Sequence, residues 1–282
     1  MNTKVESAES PLWVTLGAAG RDFYRVTPST VDMTRSAPPP RPIRVPALPQ
    51  EVIIDLNKSA LLVIDMQKEF CSKRGWLSSL GLDVSGALRL VDPIKRTADA
   101  LRAASVPIIW VNWGVRPDRL NLSPGTRHTF NPDGCRAGLG DSLSSKDAEG
   151  RESTHNILEK DSWGAEILDE MAPPATDVLV DKQRISGFWD TPLDSILRNL
   201  GVRTVLIAGI NADQCVYATL MDANFHGYDT ILLEDCTATT SPPFCLEATL
   251  YNVRFAYGFT MLSDDLLHHV SSHDRDRLSR GS

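Results

Sequence analysis

Apolar residues in this chain fall into short runs, separated by longer segments whose apolar positions recur every three or four residues. The runs read as strands buried on both faces, and the periodic segments as helices. Strand-like runs occupy residues 59–65 (SALLVID), 106–112 (VPIIWVN), 177–182 (DVLVDK), 202–208 (VRTVLIA) and 229–234 (DTILLE), with a last one at 256–262. Helical patterning covers 91–104, where Ile94, Ala98 and Leu101 share a face with Leu90. It returns at 167–171, 193–200, 215–226 and 243–253. Gly201 and Gly227 stand where helices commonly stop in the left-handed conformation. The alternation predicts an α/β fold, an open and mostly parallel sheet with helices on both faces.

Two stretches break this rhythm. Residues 1–51 hold Pro38, Pro39, Pro40, Pro42, Pro46 and Pro49, and read as an irregular arm. Such an arm either stays partly mobile or packs on a neighbouring subunit. Residues 114–155 are rich in Gly, Pro, Asp and Ser and read as one long loop, a length that points to a function or a covered site. The expected organisation is an arm at 1–51, a domain at 52–270 and a polar tail at 271–282.

Composition narrows the function classes. A chain of 282 residues can bury one sizeable α/β core. Its net charge of −7, with no face rich in Lys and Arg, argues against nucleic acid or an anionic membrane as partner. No run is long and apolar enough for a membrane span, and the first residues lack the apolar core of a secretory signal. The expected compartment is the cytoplasm. Five cysteines at irregular spacing make a poor disulfide framework there. No His/Cys cluster has metal-ligand spacing, so a metal is not expected.

In open parallel sheets, ligands sit beyond the carboxyl ends of the strands. Asp65, Asn112, Lys182 and residues 209–215 each follow a strand-like run, so four segments would deliver polar groups to one edge. Cys215 opens a helix after a strand–Gly–turn, where the helix dipole and free N–H groups would favour its thiolate. The alternative for a lone cysteine is an inert core thiol. Lys182 would favour the thiolate further, and Asp65 can pair with it and act as general base, then general acid. For each taken singly, a rim salt bridge explains the residue equally well. Together with Cys215 they form a nucleophile, a base and a cation. Candidate substrate contacts are Gln67 and Phe70 after the first strand, Asn112 and Trp113 after the second, and Arg184, Phe188 and Trp189 after the third. Arg184 could take a carboxylate bidentately. Tyr217, in the first turn of the Cys215 helix, either faces the pocket or packs in the core.

The segments ALLVIDMQKEF, VPIIWVNW and DKQRISGFWDTPLDSILRNLGVRTVLIAGINADQC resemble the isochorismatase-like cysteine hydrolase superfamily over residues 52–265. The resemblance implies a Rossmann-like three-layer sandwich and a catalytic triad of Asp65, Lys182 and Cys215. It also implies a thioester acyl-enzyme and no required cofactor. A non-proline cis peptide at Ile210–Asn211, and an oxyanion hole from the N–H groups of Asn211 and Cys215, are part of the same implication. Arg184, Ser186, Gly187, Phe188 and Thr191 resemble the branch acting on ureidoacrylate, biuret and triuret. The expected function is thus a cysteine amidohydrolase for a small amide or ureido compound, in a homo-oligomer (dimer or tetramer). Two rivals are a vinyl-ether hydrolase of the same fold and a catalytically silent interaction protein.

Overall fold

The computed structural model describes residues 12–18, 20–35, 38–146 and 150–280, with side chains through residue 271. The outermost parts of the expected arm and tail, 1–11 and 281–282, lie outside the described residues.

The chain opens with three antiparallel strands, β1 (Val14–Ala18), β2 (Asp22–Val26) and β3 (Val31–Asp32). A second antiparallel pair follows, β4 (Pro42–Val45) with β5 (Val52–Asp55). The described arm is therefore not irregular, which corrects the expectation. Its prolines sit at strand ends and in the connections, where no ladder donor is lost. Ile43 and Val45 are buried in the chain's own core. Leu48 exchanges two backbone bonds with Thr260, at 2.8 and 2.9 Å, and so shields an outer strand of the main sheet.

The main sheet contains β6 (Ser59–Ile64) and β7 (Ile108–Trp113) from the first half of the domain. Between them lie α1 (Lys68–Cys71), α2 (Trp76–Ser79), α3 (Ser85–Arg89) and α4 (Val91–Ala103). The segment read as one loop holds α5 (Pro124–Phe130) and an antiparallel hairpin, β8 (Ser142–Lys146) with β9 (Glu152–Asn156). Its polar composition hides both elements. The α5 helix is capped by the Ser123 side chain on the Thr126 N–H and buries no residue fully, so it leaves no periodic apolar signature. Residues 167–171 form only a 3₁₀ turn at Asp169–Met171.

The second half supplies β10 (Val178–Lys182), α6 (Leu193–Asn199), β11 (Thr204–Gly209), α7 (Tyr217–Phe225), β12 (Asp229–Thr237), α8 (Pro243–Asn252), β13 (Phe259–Met261) and α9 (Ser263–Arg280). The expected polar tail is thus the continuation of α9. Six strands lie in the order β10-β7-β6-β11-β12-β13, every pair parallel. All residues of β6, β7 and β11 are buried, which explains their unbroken apolar runs. The order reverses between β6 and β11, so the chain leaves their carboxyl ends in opposite directions and opens a crevice there.

Candidate active site

Three devices hold the crevice in shape. The first is Gly209, with φ +115; a Cβ there would lie 2.0 Å from the Ile64 carbonyl oxygen. Only glycine lets the end of β11 press so closely on the end of β6. Ile210 N–H then donates to that oxygen at 3.0 Å. The second is Asp65, which turns out of β6 with a left-handed φ of 53, a conformation Asp tolerates better than most residues. The third is Gln67, whose amide donates to the carbonyls of Trp113 (2.8 Å) and Ala165 (2.7 Å) and accepts from the Trp113 N–H (2.8 Å).

Lys182, at the end of β10, is fully buried. Its ammonium lies 2.9 Å from Asp65 Oδ2 and 3.3 Å from Cys215 Sγ, and donates to the Arg184 carbonyl at 3.2 Å. It also rests 4.1 Å from the centre of the Trp113 ring, a cation–π contact. Three strand ends thus bring carboxylate, ammonium and sulfur together. The Ile210–Asn211 peptide bond is cis, as the resemblance implies. Cys215 does not open a regular helix; it lies in a π-helical turn, Ala212–Val216, ahead of α7. Its carbonyl accepts from Thr219 Oγ1 at 2.6 Å, and that hydroxyl accepts from the Gly187 N–H at 2.9 Å.

The expectation of a resting thiolate is corrected. Burial pushes the Cys215 thiol up to about 12; the Asp65 charge adds to the effect and Lys182 only partly opposes it. A helix terminus and one ammonium do not outweigh desolvation here. Burial also raises the Asp65 carboxyl above the usual range, with Lys182 pulling it back. Burial thus favours the uncharged thiol and makes the Asp65 carboxylate a stronger base than usual.

Asp65, Cys215, Ile210 and Asn211 border a nearly closed chamber of about 20 Å³, room for about one water-sized group. Its apolar walls are Phe70, Trp76, Trp113, Phe130 and Leu139. Phe130 meets Trp76 and Trp113 edge-on at 5.8 and 5.9 Å. Of the substrate contacts expected from sequence, Phe70 and Trp113 line the chamber, while Tyr217 lines a space outside it. Gln67 is corrected to the clamp described above. Asn112 lies one residue along β7 from Trp113, so it faces the opposite side of the sheet. Arg184 is engaged by Asp190 at 3.0 Å and by the Asn121 carbonyl at 3.1 Å. Phe188 is buried against His226 and Tyr228, and Trp189 is exposed. None of these four lines the chamber.

Sequence reasoning missed Trp76, Phe130, Leu139 and Gln214. A lone aromatic in an otherwise polar, Gly- and Pro-rich stretch is the signal that would have found Trp76 and Phe130. Trp76 is fixed by its N–H to Glu69 Oε2 (2.5 Å) and its indole N–H to the Ala137 carbonyl (2.9 Å). The same buried Glu69 holds His155 of β9 at 2.7 Å, which ties the hairpin to the chamber wall. Among the described residues, no group of three or more His, Cys, Asp or Glu side chains is placed to hold a metal ion.

A buried sulfur, ammonium and carboxylate at the switch point of a parallel α/β sheet define a class in which a nucleophile meets a small enclosed substrate. The isochorismatase domain model matches residues 59–263, and the chain belongs to that family. It is 33% identical over 230 residues to the ureidoacrylate amidohydrolase RutB of Klebsiella variicola, covering 81% of this chain and 94% of that protein. The RutB of Agrobacterium fabrum is 32% identical, with 78% and 93% covered. Among solved structures, a cysteine hydrolase from Pseudomonas syringae pv. phaseolicola superposes with a TM-score of 0.64 at 25% identity, covering 78% of this chain and 95% of that one. The N-carbamoylsarcosine amidase of Thermoplasma acidophilum superposes with a TM-score of 0.55 at 28% identity, covering 73% and 97%.

Proposed function

We propose that this protein is a cysteine amidohydrolase that cleaves a C–N bond of a small amide or ureido compound through a thioester acyl-enzyme. One observation carries the reading: a sulfur within 3.3 Å of a buried ammonium that is itself 2.9 Å from a carboxylate, all beside an enclosed chamber. The names of the relatives, a ureidoacrylate amidohydrolase and an N-carbamoylsarcosine amidase, support the substrate class.

Asp65 takes the thiol proton as Cys215 attacks the carbonyl carbon, so the thiolate forms only when the substrate is in place. The Lys182 ammonium, 2.9 Å from Asp65 and 3.3 Å from Cys215, offsets the charge passing between sulfur and carboxylate. The oxyanion rests on the backbone N–H groups of Asn211 and Cys215. Protonated Asp65 delivers its proton to the departing nitrogen. A water deprotonated by the same carboxylate then opens the thioester and frees Cys215. Vinyl-ether cleavage has no need of a nucleophilic sulfur, and a silent interaction protein has no need of a buried charged triad.

The test is to quench turnover in acid and weigh the intact protein. A covalent adduct on the wild type that is missing from Cys215→Ala, together with a loss of kcat on the order of 10³-fold or more, supports the scheme. A Cys215→Ala enzyme with normal turnover refutes it.

A further inference from the structure

A larger space of about 560 Å³ adjoins the chamber, within the range of small-ligand pockets. The two share Trp76, Phe130, Asn211 and Gln214, so these four residues stand at the boundary between them. The outer wall is apolar, with Leu77, Leu80, Ile185, Ala218 and Met221. Among the described residues, no Lys, Arg or His lines either space. The charged groups that do line them are Asp65 inside and Asp213 outside, both acidic. Lys182 sits behind Asp65 and is committed to it, and Arg184 is turned to Asp190 and a backbone carbonyl. A substrate carboxylate would thus be desolvated against apolar wall and acidic side chains with no cation to meet it. The net charge of −7 opposes its approach as well.

Resting on the amidohydrolase reading, we infer that the substrate is a neutral compound with a terminal –C(=O)NH₂ group on an uncharged, apolar body. The enzyme selects against carboxylates such as ureidoacrylate. The inner chamber holds about one water-sized group, which fits –NH₂ and the ammonia it becomes. The body of the substrate lies in the outer space. In the first step, Cys215 Sγ bonds to the carbonyl carbon, the C–NH₂ bond breaks, and the thiol proton leaves with the nitrogen as ammonia by way of Asp65. In the second, water adds, the C–S bond breaks and an acid departs. From a ureido substrate that acid is a carbamate, which loses carbon dioxide to give the amine.

Matched pairs that differ in one charge test this: hexanamide against adipamate, and the methyl ester of 3-ureidopropionate against the free acid. Ammonia release is followed for each. The expected kcat/KM for the neutral member is higher by about tenfold or more, the ratio a modest unpaired-charge penalty produces. Met221→Arg, which adds a cation to the outer wall, should raise the carboxylate rate by about tenfold. Carboxylates processed as fast as their neutral partners, or no gain in Met221→Arg, overturn the selectivity and leave the hydrolase reading intact. Silence on every compound, with no adduct on Cys215, overturns both.

Discussion

The strand ends and the segment that covers them are built on different principles. Lys182 ends β10, Asp65 directly follows β6, and Cys215 lies in the turn that follows β11, three parallel strands of one sheet. Their separations follow from ladder register and from the absence of a side chain at Gly209. The cover is made of short pieces: α2 with Trp76, α5 with Phe130, and the β8–β9 hairpin. It is fastened by single polar contacts such as Glu69 to His155 and Trp76 to Ala137. A hydrogen-bonded sheet is rigid, whereas a few side-chain bonds are opened and rearranged more easily. The comparison teaches that the bond-making groups are fixed by the fold, and that the choice of substrate belongs to the cover. It can be broken by any cover variant that damages chemistry as badly as a strand-end variant does.

The largest expected effect is therefore at the strand ends. Asp65→Asn keeps the shape but removes the base, and Cys215 cannot then lose its high-lying proton. We expect kcat to fall on the order of 10³-fold or more, with Tm lowered because the fully buried Lys182 ammonium is left without its counter-charge. Single-turnover assays and calorimetry check this. Gly209→Ala comes next and acts on the scaffold itself. Its new methyl would meet the Ile64 carbonyl oxygen at 2.0 Å in a backbone conformation L residues avoid, so a loss of about 3 kcal/mol in urea unfolding is expected. A stability within error of wild type would show that the strand-end geometry is less constrained than the ladder implies.

The raised thiol gives a third, smaller test. A group lifted in the folded state stabilises the fold while protonated, and that stabilisation is lost as pH climbs from its unfolded value toward its folded one. For Cys215 the window runs upward from about 9 to about 12. Wild type should lose stability relative to Cys215→Ser as pH climbs through that window. Urea midpoints at stepped alkaline pH read the difference, and comparing the two proteins cancels the other buried thiols. Parallel curves would place the Cys215 sulfur in water, against the closed chamber.

How far each region was legible in the sequence follows from the same physics. A strand buried on both faces must be apolar throughout, so 59–65, 106–112 and 202–208 announce themselves, and a charge at the end of such a run is conspicuous. Asp65 is visible for that reason, whereas Lys182 ends an outer strand whose residues alternate between buried and exposed. The arm and the 114–155 segment were not visible, because β1–β3, α5 and the hairpin expose most of their side chains and have no period to detect. Arg184, Phe188 and Asn112 were misjudged for a different reason. Nearness in sequence to a strand end says nothing about which side of the sheet a side chain takes, and Phe188 found His226 and Tyr228 instead. The Cys215 thiol was misread because sequence shows neighbours but not depth, and depth dominates its acidity.

The smallest effect is the one that separates the two regions most directly. Phe130 belongs wholly to the cover and touches the chamber only as a wall against Trp76 and Trp113. Removing its ring in Phe130→Ala merges the chamber with the outer space, since Phe130 borders both. Apolar contact with the ground state and the transition state is lost equally, so KM should rise about tenfold, while kcat stays within about twofold. The variant should also accept bulkier groups on the nitrogen side of the scissile bond, read as amine release from N-methyl amides that the wild type ignores. If kcat collapsed instead, with KM unmoved, the cover would be holding the reacting atoms in line, and the division of labour between sheet and cover would have to be abandoned.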